Sequence, residues 1–253
     1  MAIYYNGNEY RQRSSLSETE GFLLASVVSS AILSPLPYIS KNFAKQINKE
    51  LPKNHLYKDC FIKSFDISGL RDKGVEIIEA QHADVPMIYK LGQNACFDPN
   101  ANKVILNTDK MSAAGVHELG HAMNALKSKF GVKYLAKLRA PGYAIAGLME
   151  YFAIFSRTKP KGAPKNLTDI IEDNCGLIAF IAMLPTVLEE GIASLRGLNL
   201  AKKAGASKEL QKGLKKVYLK AHATYSAKAV LGGLAVYASR KIMDYYTRPR
   251  LVE

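Results

Sequence analysis

Four stretches of the chain are nearly free of charge, and the intervals between them are dense in lysine. The first, GFLLASVVSSAILSPLPYIS (21–40), runs for twenty residues between Glu20 and Lys41 without a formal charge, about the length that spans a bilayer core. Pro35 and Pro37 are expected to kink or end its helix. About twenty polar residues precede it, and no small-residue cleavage site follows in a convincing position, so it reads as a retained anchor. The second stretch, Pro141 to Ser156, is interrupted by Glu150, and the third runs from Cys175 to Leu188. Both are short for spans, which favours a helical hairpin that dips into or crosses the bilayer. The fourth, Ala221 to Ser239, carries Lys228 and a Gly232-Gly233 pair, small residues suited to close helix packing.

The interval from 41 to 110 is more polar. GVEIIEA (74–80) and KVILN (103–107) have the β-branched character of short strands, and the Asp, Pro and Asn of FDPNAN (97–102) fit a tight turn entering the second. From about Ser112, Val116, Leu119, Met123 and Leu126 recur at spacings of three and four, which predicts a helix with His117 and His121 on a different face. The segment RTKPKGAPKN (157–166) reads as an exposed basic loop. The expected organisation is a tail and anchor over 1–40, a region with a small sheet and the histidine helix over 41–140, an apolar hairpin over 141–188 and further helices over 189–253. The fold class is mainly α, with a small β-sheet and several membrane-inserted helices.

Composition sharpens this picture in two ways. Thirty-five Lys and Arg against twenty-two Asp and Glu leave a net charge of +13, which suits an anionic lipid surface or nucleic acid. The basic residues flank the apolar segments, and the chain has no zinc-ribbon spacing, RNP-like run or continuous basic arm, so membrane lipid is the expected partner and nucleic acid is not. Cys60, Cys96 and Cys175 stand singly, so neither a disulfide framework nor a cysteine zinc site is indicated.

The chemistry lies in HELGH (117–121). Histidines four apart on a helix lie one turn apart on one face, where both rings can reach a single Zn²⁺. Glu118, beside the first, stands where zincins place the carboxylate that takes a proton from water. The number of accidental H-E-x-x-H matches expected in a chain of this composition is on the order of 0.005, so the motif is specific. Gly120, lacking a side chain, permits close approach of a second element. A catalytic zinc needs a third protein ligand, and Glu190 is the candidate. On a helix it shares a face with Ser194 and Gly197, whereas Glu189, rotated by about 100°, points elsewhere. One helix can present only one of the two glutamates squarely, and Glu189 stays open as the alternative. Ser194 is placed to orient a ligand or simply to pack. His222 and Tyr225 are candidates for polarising a scissile carbonyl, against the plainer reading of packed or interfacial residues. His55 and His82 have no ligand-like spacing.

FDPNANKVILN (97–107), HELGHAMNA (117–125), EGIASLRGL (190–198) and the late A-x-A-T-Y-x-A-x-A run (221–229) occur in that order. In these the chain resembles bacterial membrane-associated neutral zinc metallopeptidases of the YugP type, which are similar to the HtpX and CAAX-prenyl-protease gluzincins. The resemblance covers roughly 70 to 240. It implies a zincin-like helical metallopeptidase that hydrolyses peptide bonds of a polypeptide substrate, with His117, His121 and Glu190 as zinc ligands and Glu118 as catalytic carboxylate. HtpX-like relatives carry Asp where this chain has Ser194, and the YugP-like group is similar in having Ser. A histidine and a tyrosine expected before Asp98-Pro99 are missing at Asn94 to Phe97, which leaves that loop without an implied role. The implied fold presents an edge strand, here Lys103 to Asn107, to an extended substrate.

If every apolar segment spans, the zinc side holds most of the basic residues, which favours an integral membrane protein with a cytoplasmic active site. The two intervening segments between motif and third ligand then return the chain to the side it left. Two other readings fit the composition: a zinc-binding membrane scaffold without catalysis, which has no use for Glu118, and a soluble helical domain, which would fractionate without detergent.

Overall fold

The computed structural model describes residues 2–5, 7–12, 14–50, 55–79, 95–106, 113–156, 158–160 and 162–252. Asn107 at the end of the expected second strand, Ser112 at the start of the motif helix, and His82 and Asn94 lie outside the described residues. Among those described the protein is mainly helical, with two three-stranded sheets. It forms two compact units: unit 1 comprises Met1–Tyr38, Arg139–Leu184 and Ser226–Glu253, and unit 2 comprises Ile39–Leu138 and Pro185–Tyr225.

In unit 1, β1 (Ala2–Tyr5) and β2 (Asn8–Arg11) form a hairpin turned at Gly7, and β2 also pairs with β6 (Arg250–Leu251). The first apolar stretch becomes α1 (Ser15–Leu33), whose N-cap Ser14 accepts the Ser17 N–H at 3.2 Å. The prolines act as expected of ring-locked residues: α1 stops before Ser34, and Pro35 opens α2 (Pro35–Glu50) at the position where its missing N–H costs nothing. On α1, Gly21, Ala25 and Ser29 recur every four residues. Ala25 is 0% exposed and Ser29 is buried, whereas Phe22, Leu23, Leu24 and Val27 are exposed, Val27 at 65%. Small residues face inward and large apolar ones outward, the reverse of a helix in a water-soluble core.

The same inversion holds in α6 (Arg139–Phe155), where Ile145, Leu148, Tyr151 and Phe155 are exposed. Glu150, the charge that interrupts this stretch, receives hydrogen bonds from the hydroxyls of Ser29 at 3.2 Å and Ser239 at 3.1 Å. Met149 and Ala153 of this helix form a short core with Cys175, Ala179 and Val236. After a loop, α7 (Leu167–Asp173) begins with a capping box between Asn166 and Asp169. The third apolar stretch does not stop before the acidic pair; it continues as one helix, α8 (Cys175–Lys203), through Pro185 and both glutamates. The fourth stretch is likewise part of a longer helix, α9 (Lys208–Thr247). The segments Leu16–Phe43 and Cys175–Lys203 are long and apolar enough to cross a membrane.

In unit 2 the core joins Phe61 and Phe65 of α3 (His55–Ser68) to Val116, Leu119 and Ala122 of α4 (Ala113–Leu126) and to Leu200, Leu214 and Val217. A short helix α5 (Phe130–Lys137) follows α4. The sheet has the order β3-β5-β4, with β3 (Glu76–Glu79) parallel and β4 (Ala95–Asp98) antiparallel to β5 (Lys103–Leu106). Val104 and Leu106 point into the core while Ile105 meets Ile78 and Cys96 on the other face, the alternation a pleated strand imposes. The expected turn is present: Asp98 Oδ1 accepts the amides of Asn100 and Ala101, and Asn102 takes φ +53°. One expectation is overturned. Residues 103–106 are not an edge strand but the centre of the sheet, because β3, whose four residues pair with β5 in register, covers the side that was expected to be open.

Candidate metal centre

Close backbone contact between α4 and α8 makes the site. A Cβ at Gly120 would stand 2.0 Å from the Ala193 carbonyl oxygen, and one at Gly197 would stand 2.7 Å from that of Val116. Glycine at both positions lets the helices approach until side chains one turn away meet.

Three atoms converge there. His117 Nε2 and His121 Nε2 are 2.9 Å apart, and Glu190 Oε2 lies 3.2 Å from the first and 3.5 Å from the second. Tetrahedral ligands at about 2.0–2.1 Å from one zinc are separated by roughly 3.3–3.4 Å, so these three edges bracket what the ion requires. The outer nitrogens of both rings also meet polar side chains. His121 Nδ1 donates to Glu189 Oε1 at 2.8 Å, and Asn124 Nδ2 donates to the same oxygen at 2.9 Å and to the Glu189 carbonyl at 3.3 Å. His117 Nδ1 has the Ser194 hydroxyl at 3.2 Å. In the tautomer that carries the proton on Nδ1 of both rings, two imidazole lone pairs and a carboxylate oxygen point at one place, an arrangement that can hold a cation. The donor set, two neutral nitrogens and one oxygen, suits zinc.

The geometry separates the two glutamates. Glu190 reaches both Nε2 atoms, whereas Glu189, almost fully buried, meets His121 at Nδ1 and forms with His121 and Glu190 a second group whose ligand atoms lie within 4.8 Å of one another. Neighbouring residues on α8 thus serve the two sides of the site, as their 100° offset allows.

Glu118, His117 and His121 have ligand atoms within 4.8 Å of one another. Burial raises the Glu118 carboxyl above the ordinary range, with Glu190 adding to the effect; the two histidines and the Phe97 backbone N–H, which donates to it, pull the other way. At His121 burial disfavours the charged ring, but the hydrogen-bonded Glu189 and Glu190 and the charge of Glu118 outweigh it and push the group up to about 10. The centre is therefore strongly favourable to positive charge. The nearby Cys96 thiol is pushed up to about 12, by burial first and then by Glu118 and Asp98, which leaves it protonated and a poor metal ligand.

His222, on α9, lies against Gly191, where a Cβ would meet its Cε1 at 3.1 Å, and its Nδ1 is buried with no partner among the described residues. Tyr225 is partly buried one turn further along α9. Sequence reasoning missed Tyr218, one turn before His222, whose buried ring lies 5.4 Å from that of His117. It also missed Asn124 and the Phe97 amide. The only available signals were the spacing of Asn124 three residues after His121 and of Tyr218 four before His222.

Comparison with protein-family models, curated proteins and solved structures finds no match to this chain.

Proposed function

We propose that the protein is a membrane-embedded zinc endopeptidase. The observation that carries this reading is the convergence of His117 Nε2, His121 Nε2 and Glu190 Oε2, with Glu118 beside them and uninvolved in the triangle. A structural site has no use for such a carboxylate. Zinc bound there would supply Lewis acidity, lowering the pKa of a water and polarising a carbonyl. Glu118 then accepts the proton of the attacking water and returns it to the leaving amine, a role that a carboxyl made more basic by burial favours. Glu189 and Asn124 hold His121 in its tautomer, and Ser194 does the same for His117. His222 is the candidate donor to the developing oxyanion.

An extended substrate is expected to add to β4 rather than β5. Among the described residues β4 pairs on one side only, and its Phe97 amide already touches Glu118. Unit 1 is proposed as the part that sits in lipid, supported by its outward Leu, Ile, Phe and Val and its inward Ser29, Glu150 and Ser239. The exposed lysines 202, 203, 208, 212, 215 and 216, which follow the apolar run of α8, favour a cytoplasmic site.

The test is Glu118→Gln. Purified variant should keep about one zinc per chain and lose cleavage of unfolded casein by roughly 10²–10⁴-fold. Wild-type cleavage by that variant would sink the mechanism.

A further inference from the structure

Unit 1 holds a second polar cluster that the peptidase reading does not use. The loop before α7, α7 itself and the end of α9 enclose a cavity of about 210 Å³ lined by Lys159, Lys165, Asp169, Asp173, Arg240 and Arg248, among others. Its acids are already committed. Asp169 takes Lys159 at 2.6 Å and caps α7, and Asp173 takes Lys165. Glu172 and Asp244 take Arg240 Nη2 at 3.1 and 3.2 Å, and Asp244 also accepts the Thr158 hydroxyl at 2.7 Å. Arg248 is left with Asp244 Oδ2 at 3.7 Å, beyond hydrogen-bond distance.

Two donors remain. The Nε–H groups of Arg240, whose side chain is 4% exposed, and of Arg248 are buried without a partner among the described residues. Buried guanidinium donors left open call for an acceptor. Arg248 also borders a neighbouring cavity lined by Lys241 and Arg250, so among the described residues six cations (Lys159, Lys165, Arg240, Lys241, Arg248, Arg250) face four acids (Asp169, Glu172, Asp173, Asp244) around the cluster. Arg240 Nη1 donates to the Ser156 carbonyl at 3.2 Å, so its Nε–H is the donor left open, while Arg248 keeps its Nε–H and a fork without a close partner among the described residues; an anion such as a phosphate matches such guanidinium donors.

We propose that this cluster binds a phosphate group, with Arg248 and Arg240 as its donors, and that the phosphate is the headgroup of an anionic phospholipid. The lipid source follows from the surroundings. The cluster lies where the exposed apolar surface of unit 1 gives way to charge: Phe155 ends α6 just before the loop, Leu177 follows α7, and Tyr237 and Tyr245 flank the arginines on α9. Aromatic side chains beside basic ones at the end of an apolar belt mark headgroup level.

The experiment uses the full chain, delipidated in non-ionic detergent, with native mass spectrometry counting bound lipid. Phosphatidylglycerol should bind at least about tenfold more tightly than phosphatidylcholine, and Arg248→Gln should remove that preference while Arg248→Lys keeps part of it. The exposed triple variant Lys212→Gln, Lys215→Gln, Lys216→Gln should leave it unchanged. Millimolar inorganic phosphate that binds in an Arg248-dependent way while no lipid is retained would support the phosphate site but assign it to free phosphate. Equal phosphatidylglycerol binding by wild type and a correctly folded Arg248→Gln, or an equal loss in the lysine triple, would overturn the site. Zinc content plays no part in the readout, so this test stands or falls apart from the metal centre.

Discussion

Gly120→Ala tests how the centre is assembled. The added methyl would lie 2.0 Å from the Ala193 carbonyl oxygen, 2.7 Å from its carbon and 2.9 Å from Ala193 Cα. All three are backbone atoms, so no rotamer change relieves the contact. An ordinary carbon–oxygen approach of about 3.3 Å requires α8 to retreat by roughly 1.3 Å. Glu190 stands one turn before Ala193, and the same retreat would stretch its 3.2 Å and 3.5 Å edges to the histidines past what one ion can bridge. Overpacking of this kind costs about 1–3 kcal/mol of stability, and loss of the third ligand should weaken zinc by at least about 100-fold. Competition against a fluorescent chelator measures the affinity, with far-ultraviolet circular dichroism to confirm the helices. Gly131→Ala is the control: no heavy atom lies within 4 Å of its added carbon, so zinc affinity should be unchanged and α5 slightly firmer, by up to about 1 kcal/mol. Wild-type zinc affinity in Gly120→Ala would refute the reasoning.

Three further outcomes are expected. Glu189→Gln should lower zinc affinity by about 10–100-fold without removing a ligand, because His121 loses the carboxylate that fixes its tautomer; unchanged affinity by the same competition assay would show that Glu189 only packs. In metal-stripped protein His121, raised from 6.5 to about 10, contributes stability that is fully present below pH 6.5 and lost as pH rises through 10. Urea titrations should therefore show stability falling by up to roughly 1.4 kcal/mol per pH unit over that window, a slope absent with zinc bound; a flat profile without metal contradicts the charge balance described. The protein should resist extraction by alkaline carbonate and yield to detergent, and recovery in a carbonate supernatant would remove unit 1 from the bilayer.

What was legible in the sequence followed physical rules that act over short range. The turn at Asp98–Asn102 and the break at Pro35 depend on neighbouring residues, and His117 with His121 share a face because a helix has 3.6 residues per turn. Gly120 signalled close approach but not its partner. The pairing of Glu189 with His121 could not be read, because it depends on the crossing of α4 over α8, sixty-eight residues apart in sequence. The same holds for the sheet: which strand occupies the centre is decided by pairing between β3 and β5, and both strands have the same β-branched pattern. The unbroken course of α8 was hidden by the apolar-to-acidic change at Leu188, since composition shifts mark a change of surroundings and not the end of a helix. Tyr218 gave no signal beyond its spacing, as an aromatic on an apolar helix face usually only packs.

The most direct test of the central claim is X-ray absorption at the zinc edge of the purified protein. The account predicts one zinc per chain with two imidazole nitrogens and carboxylate oxygen at about 2.0–2.1 Å, and loss of that oxygen contribution in Glu190→Ala. A sulfur shell at about 2.3 Å, or the same spectrum in wild type and Glu190→Ala, would contradict it.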